Sequence, residues 1–367
     1  MTETEQQTQT DSRLTNSSMG TAKTCLKKFW FRYILGIDRD VEPDYFRFGH
    51  AWHLGVEKLP DESIYDTIRK NYEDLAATME RPDLREKLRL ECEIVCRLLA
   101  GWQWRWGAAP LEVVAAELAF EIPIVNPDTD RSSRTYTLAG KIDKILRLPD
   151  GRLAEGEHKS TGDDISPESD YWKRLRIDHQ ITTYMVAARQ IGHPAETVIY
   201  DVVHKPGIRP KKLTQAETAK FITGGWKYFD ETFKAVKVAE ETWTLNGELL
   251  EIDRSGKLPA ARETIAMFGA RLTADIGERP DYYFARREIP RTEGDIDDFR
   301  QELWMMAGLL RDCAKYGRYP RNTGACLARA RCTYFDICTT GYDPNVVPAG
   351  FVKLDTLHPE IDEISEE

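Results

Sequence analysis

"GKIDKILRLPDGRLAEGEHKS" (residues 140–160) contains two strand-like runs joined by the turn signal Pro149-Asp150-Gly151. Asp143 lies in the first run, and Glu157 and Lys159 lie in the second. Side chains alternate along a strand, so Glu157 and Lys159 face the same way with His158 between them. Pairing through the turn lets Asp143 reach the same face. Two carboxylates held together repel, and a cation between them relieves the repulsion. Oxygen donors of this kind suit Mg²⁺ or Mn²⁺. A lysine beside the ion can stabilise negative charge on a phosphate, or help position or deprotonate an attacking water. That is the outline of metal-assisted phosphodiester hydrolysis. The same D…E-x-K pattern also arises on ordinary exposed strand faces, so the hairpin alone does not decide the function.

Working outward, residues 112–124, 136–148, 152–160 and 196–205 read as strands, and 172–190 as a helix between the last two. A strand over 281–291 and a long helix over 294–316 follow. Residues 17–36 and 44–59 read as helices, the first capped by Ser17 or Ser18 and stopped by Gly36. Helices, a hairpin, a βαβ passage and further helices imply an α/β fold in which helices pack on a sheet. One domain is expected over 17–345, with helical insertions at 61–107 and 206–280. Residues 1–16 read as a disordered leader and 346–367 as a solvated acidic tail.

The 367 residues are 41% hydrophobic and 31% charged, enough apolar material for a sizeable core. No apolar run approaches the ~20 residues of a membrane helix, and the polar amino-terminal stretch has no signal-peptide core. A cytoplasmic protein with no membrane partner is expected. The net charge of −10 excludes a simple groove-filling DNA binder. Any nucleic-acid contact must use metal ions and local basic patches such as 172–176, 205–212 and 321–332.

Two further motifs give the hairpin a context. Gly49 and His53 stand in G-x-x-x-H spacing, and Gln180 and Tyr184 lie at i and i+4 of one helix face. Read in order, Gly49…His53, Gly140…Asp143, Glu157-His158-Lys159 and Gln180…Tyr184 resemble the PD-(D/E)XK nuclease superfamily, in particular its RecB-like exonucleases. The resemblance covers about 16–205 and 281–340. It implies a restriction-endonuclease-like core, a central mixed sheet flanked by helices. It also implies roles: His53, Asp143 and Glu157 as metal ligands joined by the His158 carbonyl, Lys159 as the catalytic lysine, and Gln180 and Tyr184 as the pair holding the substrate strand. Each motif has a structural alternative: His53 packing beside Trp52, Tyr184 in the core, Gln180 solvated.

The seven cysteines include a C-x5-C-x5-C run, Cys326, Cys332 and Cys338. Without a secretory signal, clustered cysteines point to metal and not to disulfides. Three thiols are one short of a four-thiolate site, and Cys25 is the natural fourth. One cysteine before the core and three after it resembles the RecB-like nucleases with an iron–sulfur cluster, including AddB-type and CRISPR-associated enzymes. The resemblance implies a 4Fe–4S cluster over 321–340. No proline follows Cys25 and the first carboxy-terminal gap is long, which keeps Zn²⁺ as the alternative. Cys92, Cys96 and Cys313 read as structural.

Together these readings imply a Mg²⁺- or Mn²⁺-dependent DNA exonuclease acting on single-stranded ends, with 206–280 available to shape the substrate channel or bind a protein partner. The alternatives are a nucleic-acid-binding or assembly subunit that keeps the fold but cleaves little, and a zinc-stabilised interaction protein. Trp30 and Tyr33, with Lys27, Lys28 and Arg32, could line a passage for one strand; the alternative packs both rings on the core.

Overall fold

A computed structural model describes residues 11–40, 44–240, 242–253, 260–328 and 330–362. In chain order, β1 (Arg13–Leu14) leads into α1 (Asn16–Thr24) and α2 (Leu26–Phe29), then a π-turn over Trp30–Ile34, β2 (Ile37–Arg39) and α3 (Asp44–Lys58). Helices α4 (Ser63–Thr78) and α5 (Pro82–Trp106) precede β3 (Glu112–Val125), β4 (Ser132–Arg147) and β5 (Leu153–Thr161). Next come α6 (Asp170–Leu175), α7 (His179–Gln190) and β6 (Thr197–His204).

An insertion then folds as α8 (Gln215–Ile222), the short strands β7 (Trp226–Tyr228), β8 (Glu231–Phe233), β9 (Ala235–Ala239), β10 (Thr242–Leu245), β11 (Glu248–Leu249), β12 (Ile252–Asp253) and β13 (Ala260–Ala261), and α9 (Ile265–Glu278). The chain continues through α10 (Pro280–Tyr283), β14 (Phe284–Pro290) and α11 (Glu293–Tyr316). After a 3₁₀ turn at Thr323–Ala325 it ends in α12 (Phe335–Thr340), β15 (Phe351–Lys353) and α13 (Pro359–Asp362).

The central sheet is mixed, in the order β1-β4-β5-β6-β14, with β3 pairing the long β4 along its other edge. Strands β5 and β6 are parallel, joined by the α6–α7 crossover, while β4–β5 and β6–β14 are antiparallel. Alternation sets the two faces of β6. Val198, Tyr200 and Val202 pack with Trp172, Ile181 and Met185 on the α6–α7 side. Val203 joins Phe268, Phe284 and the residues of α3, α4 and α5 on the other side. A third cluster, with Phe120, Leu138, Ile142, Val186 and Phe299, seats α1, α7 and α11 on β3 and β4. The expected restriction-endonuclease-like layering, a mixed sheet flanked by helices, is the observed one.

Four expectations are corrected. The insertion at 206–280 is not mainly helical: between α8 and α9 it is a set of small antiparallel sheets closed over Phe221, Tyr228, Phe233 and Leu245. Residues 11–16 are not a disordered leader, since Arg13 and Leu14 pair with Thr137 and Leu138 and Leu14 is buried; residues 1–10 lie outside the described residues. Thr15, not Ser17 or Ser18, caps α1, in a reciprocal pair with Ser18. Nor is the carboxy-terminal segment a solvated tail over its described length. Phe351–Lys353 pair with Ile37–Arg39, and buried His358 stacks on Tyr33 with ring centroids 5.3 Å apart. Apolar residues at intervals in polar segments overrode the segments' composition.

The expected helix over 17–36 breaks at Cys25, whose backbone is extended (φ −166°, ψ 118°). Gly36 ends it with φ +59°, a left-handed conformation that costs glycine little. Among the described residues, no helix is long and apolar enough to cross a membrane.

Candidate active site and thiol cluster

Strands β4 and β5 stay paired from Arg147↔Leu153 to Lys144↔Gly156 and then separate. Beyond that point β4 turns to β1, and β5 continues against β6. Asp143 and Glu157 are the first residues past the fork, on one face by alternation. Helix α3 packs against β5 here and brings His53 Nδ1 to 3.4 Å from Asp143 Oδ2. Lys159 forms an ion pair with Glu157 Oε1. From α7, Gln180 Nε2 donates to the same Oε1 at 3.1 Å and to Tyr184 Oη at 3.2 Å. Asp178 caps α7 and accepts from the Gln180 backbone N–H at 2.8 Å, fixing where that first turn points. The structure thus brings together His53, Asp143, Glu157, Lys159, Gln180 and Tyr184.

The glycines of the two motifs behave differently. A Cβ on Gly140 would stand 2.8 Å from the Phe120 ring and 3.6 Å from Tyr184, so glycine lets these rings pack over the strand. A Cβ on Gly49 meets nothing within 4 Å, so internal packing does not require that glycine.

His158 is expected to offer only its carbonyl, and its side chain lies where strand alternation puts it. Its imidazole points to the opposite face of the sheet, buried beside Trp102 and 3.8 Å from Asp201 Oδ2. Only its backbone carbonyl remains available as a ligand. Sequence reasoning also missed Glu155, which is fully buried on the Glu157 face with no donor to either oxygen. The alternation in "EGEHK" (155–159) was its available signal. Burial first, then the charges of Glu157 and Asp143, push Glu155 well above the usual carboxylate range, which favours its neutral form.

Burial also raises Glu157, to about 7, against the opposing pull of Lys159. His53 is lowered by burial, which outweighs Asp143, so its imidazole is neutral and able to ligate. Glu157 binds its proton more tightly folded than unfolded. Its contribution to stability is therefore fully present below about pH 4.5 and is lost as pH rises through about 7. In EDTA, the thermal midpoint of the wild-type protein should fall across this window relative to Glu157→Gln, by the equivalent of about 3 kcal/mol at most. Parallel pH profiles for the two proteins would contradict the shift.

Among the described residues, no group of three or more His, Cys, Asp or Glu side chains is arranged to hold a metal ion as it stands. The donor chemistry nonetheless fits a divalent cation. Asp143 Oδ2 and Glu157 Oε2 are buried without a hydrogen-bond donor, and a neutral imidazole stands beside them. Two carboxylates with free lone pairs on one face are what a hard cation satisfies.

Elsewhere in the fold, Cys25 sits in the break between α1 and α2. Its sulfur accepts from the Asn322 N–H at 3.3 Å, and Asn322 Nδ2 donates to Thr24 O at 2.9 Å. The Lys27 N–H bonds Pro320 O at 3.0 Å, and Cys332 N–H bonds Cys326 O at 2.9 Å. The Cys326 thiol is pushed up by desolvation and then by Cys332, Cys25 and Cys338, although among the described residues the thiols form no metal-holding group as they stand. All seven cysteines are free thiols, with Cys92, Cys96 and Cys313 buried. Of the aromatics expected to line a strand passage, Tyr33 is buried against Phe29 and His358. Trp30 is half-buried, with Lys27 Nζ 3.3 Å above its ring.

Nothing among curated proteins matches the chain. Among solved structures, one titled "Crystal structure of SSO0001" is similar at 16% identity over 37% of this chain and 70% of that one, with a TM-score of 0.19. A family model described as the PD-(D/E)XK nuclease superfamily matches residues 13–339. With that span and the fold just described, the chain belongs to the PD-(D/E)XK nuclease superfamily.

Proposed function

We propose that this protein is a Mg²⁺- or Mn²⁺-dependent exonuclease that hydrolyses single-stranded DNA from an end. The observation that carries the reading is the fork between β4 and β5. There Asp143 and Glu157 present buried oxygens without donors, with Lys159 and His53 alongside. His53, Asp143, Glu157 and the His158 carbonyl would hold the metal. When bound, the ion supplies Lewis-acid stabilisation and a water of lowered pKa.

The chain's own residues do the rest. Lys159 orients the attacking water and offsets charge on the phosphate. Gln180 and Tyr184 position the strand, and burial of Glu155 disfavours a second negative charge beside Glu157. Water attacks phosphorus in line, the bond to the 3′ oxygen breaks, and that oxygen takes a proton, leaving a 5′ phosphate.

Cys25, Cys326, Cys332 and Cys338 are the ligands we assign to a 4Fe–4S cluster, with Zn²⁺ the less favoured occupant. Support comes from Asn322 tying the Cys25 segment to the start of the cysteine run. The insertion exposes Trp226, Phe229, Val236, Val238 and Leu249, and a protein partner would engage there.

A net charge of −10 disfavours loose surface binding, so a threaded strand is the expected substrate. With Mn²⁺, linear single-stranded DNA should be degraded at least about ten-fold faster than a closed circle of the same sequence, and duplex DNA should be cut slowly unless its ends fray. Equal rates on line and circle would make the enzyme an endonuclease.

A further inference from the structure

The face of the sheet opposite the Glu157–Lys159 cleft carries a cavity of about 480 Å³ between the ends of α3 and α5 and strands β3–β6. Its volume is within the ~300–1,000 Å³ usual for small-molecule sites. Val56, Leu59, Pro60, Leu146 and Ile199 make its walls largely apolar. The polar groups gather in one region, where His158, Asp201, Arg286 and Trp106 contribute to the lining.

Their hydrogen bonding is incomplete. Asp201 Oδ2 accepts from Trp102 Nε1 at 3.1 Å and from Arg286 Nη2 at 2.6 Å, while Asp201 Oδ1 has no partner. His158 Nδ1 and Trp106 Nε1 are likewise buried without partners. Asp201 is 3% exposed and His158 7%. The Arg286 guanidinium lies 4.4 Å from the Trp106 ring centroid, which holds that indole in place. Buried polar atoms are nearly always paired, so three orphans beside one cavity call for a ligand. Water would satisfy the polar region but leave the apolar walls unmatched.

The charges restrict the ligand further. Lys144 and Arg286 stand among three carboxylates, Asp201, Glu57 and Glu157, so no net positive field invites a phosphate. A matching molecule has apolar faces and one edge that carries both a donor, for Asp201 Oδ1, and an acceptor, for the Trp106 N–H. We infer that this cavity binds an uncharged purine base or nucleoside. The lining also includes Glu157 and His158, which the proposed function assigns to the metal, so the test is run without metal.

The test uses the full chain in EDTA, so that cleavage plays no part. Adenosine binding is followed by intrinsic tryptophan fluorescence and by equilibrium dialysis, with indole and cytidine as comparison probes. Trp106→Phe keeps the ring packing and removes the donor, and circular-dichroism melting checks that it folds. Adenosine should bind saturably, about ten-fold more tightly than indole or cytidine, and Trp106→Phe should weaken it by a similar factor. Absence of saturable binding by adenosine and guanosine would overturn the inference. Indole or cytidine matching adenosine, or a folded Trp106→Phe protein with unchanged affinity, would do so equally.

Discussion

Lys159→Ala should lower the single-turnover cleavage rate by about 10²–10³-fold or more while leaving the fold and the affinity for single-stranded DNA nearly intact. The ammonium ion is paired with Glu157 Oε1 at the mouth of the fork, and its side chain is 30% exposed. It contributes little packing, so its removal opens no core cavity. The loss falls on the transition state, where charge builds on the phosphate. A second consequence concerns the neighbouring carboxylate. Without the lysine, the main opposition to burial is lost, and the pKa of Glu157 rises further. Any residual activity of the variant should therefore reach its maximum at higher pH than that of the wild type. Unchanged turnover in a Lys159→Ala preparation free of contaminating nuclease would remove the assigned role.

Cys25→Ser should strip iron from anaerobically purified protein and cause a large loss of stability. Cys25 lies near one end of the chain and the three remaining thiols near the other. A shared cluster would therefore close a loop of about 300 residues, worth about 5–6 kcal/mol as an upper estimate on the chain-entropy formula. The backbone contacts from Asn322 and Lys27 already hold the two segments together. The variant should thus fold at low temperature but melt earlier, which keeps iron content measurable. Cys332→Ser should behave alike. Cys92→Ser, in the buried face of α5, should keep its iron. A normal iron content in Cys25→Ser would shift suspicion to Cys313, and zinc in place of iron would favour the tetrahedral alternative.

The order of elements and the carboxylate hairpin were legible in the sequence because each rests on local rules. Alternation put Glu157 and Lys159 on one side of a strand, Pro149-Asp150-Gly151 closed the turn, and helical spacing joined Gln180 to Tyr184. Those rules depend on periodicity and turn chemistry over a few residues, so no partner needs to be known. Where long-range pairing decides, the sequence was silent or misleading. The insertion read as helical because its sheets are built from strands of two to five residues, too short to show a period. Arg13–Leu14 and Phe351–Lys353 looked like parts of polar tails, and became strands only because β4 and β2 offer edges to pair with.

The fork between β4 and β5 is likewise tertiary. It exists because β4 leaves β5 for β1, a choice made by residues more than a hundred positions apart. That separation gives Asp143, Glu157 and His53 a common space. The same geometry buries Glu155 without a donor and turns His158 towards Asp201 on the far face. The sequence alone determined which residues are candidates for the chemistry. The tertiary structure decided which of them share a cleft, because burial and charge in the cleft depend on neighbours that the linear chain does not reveal.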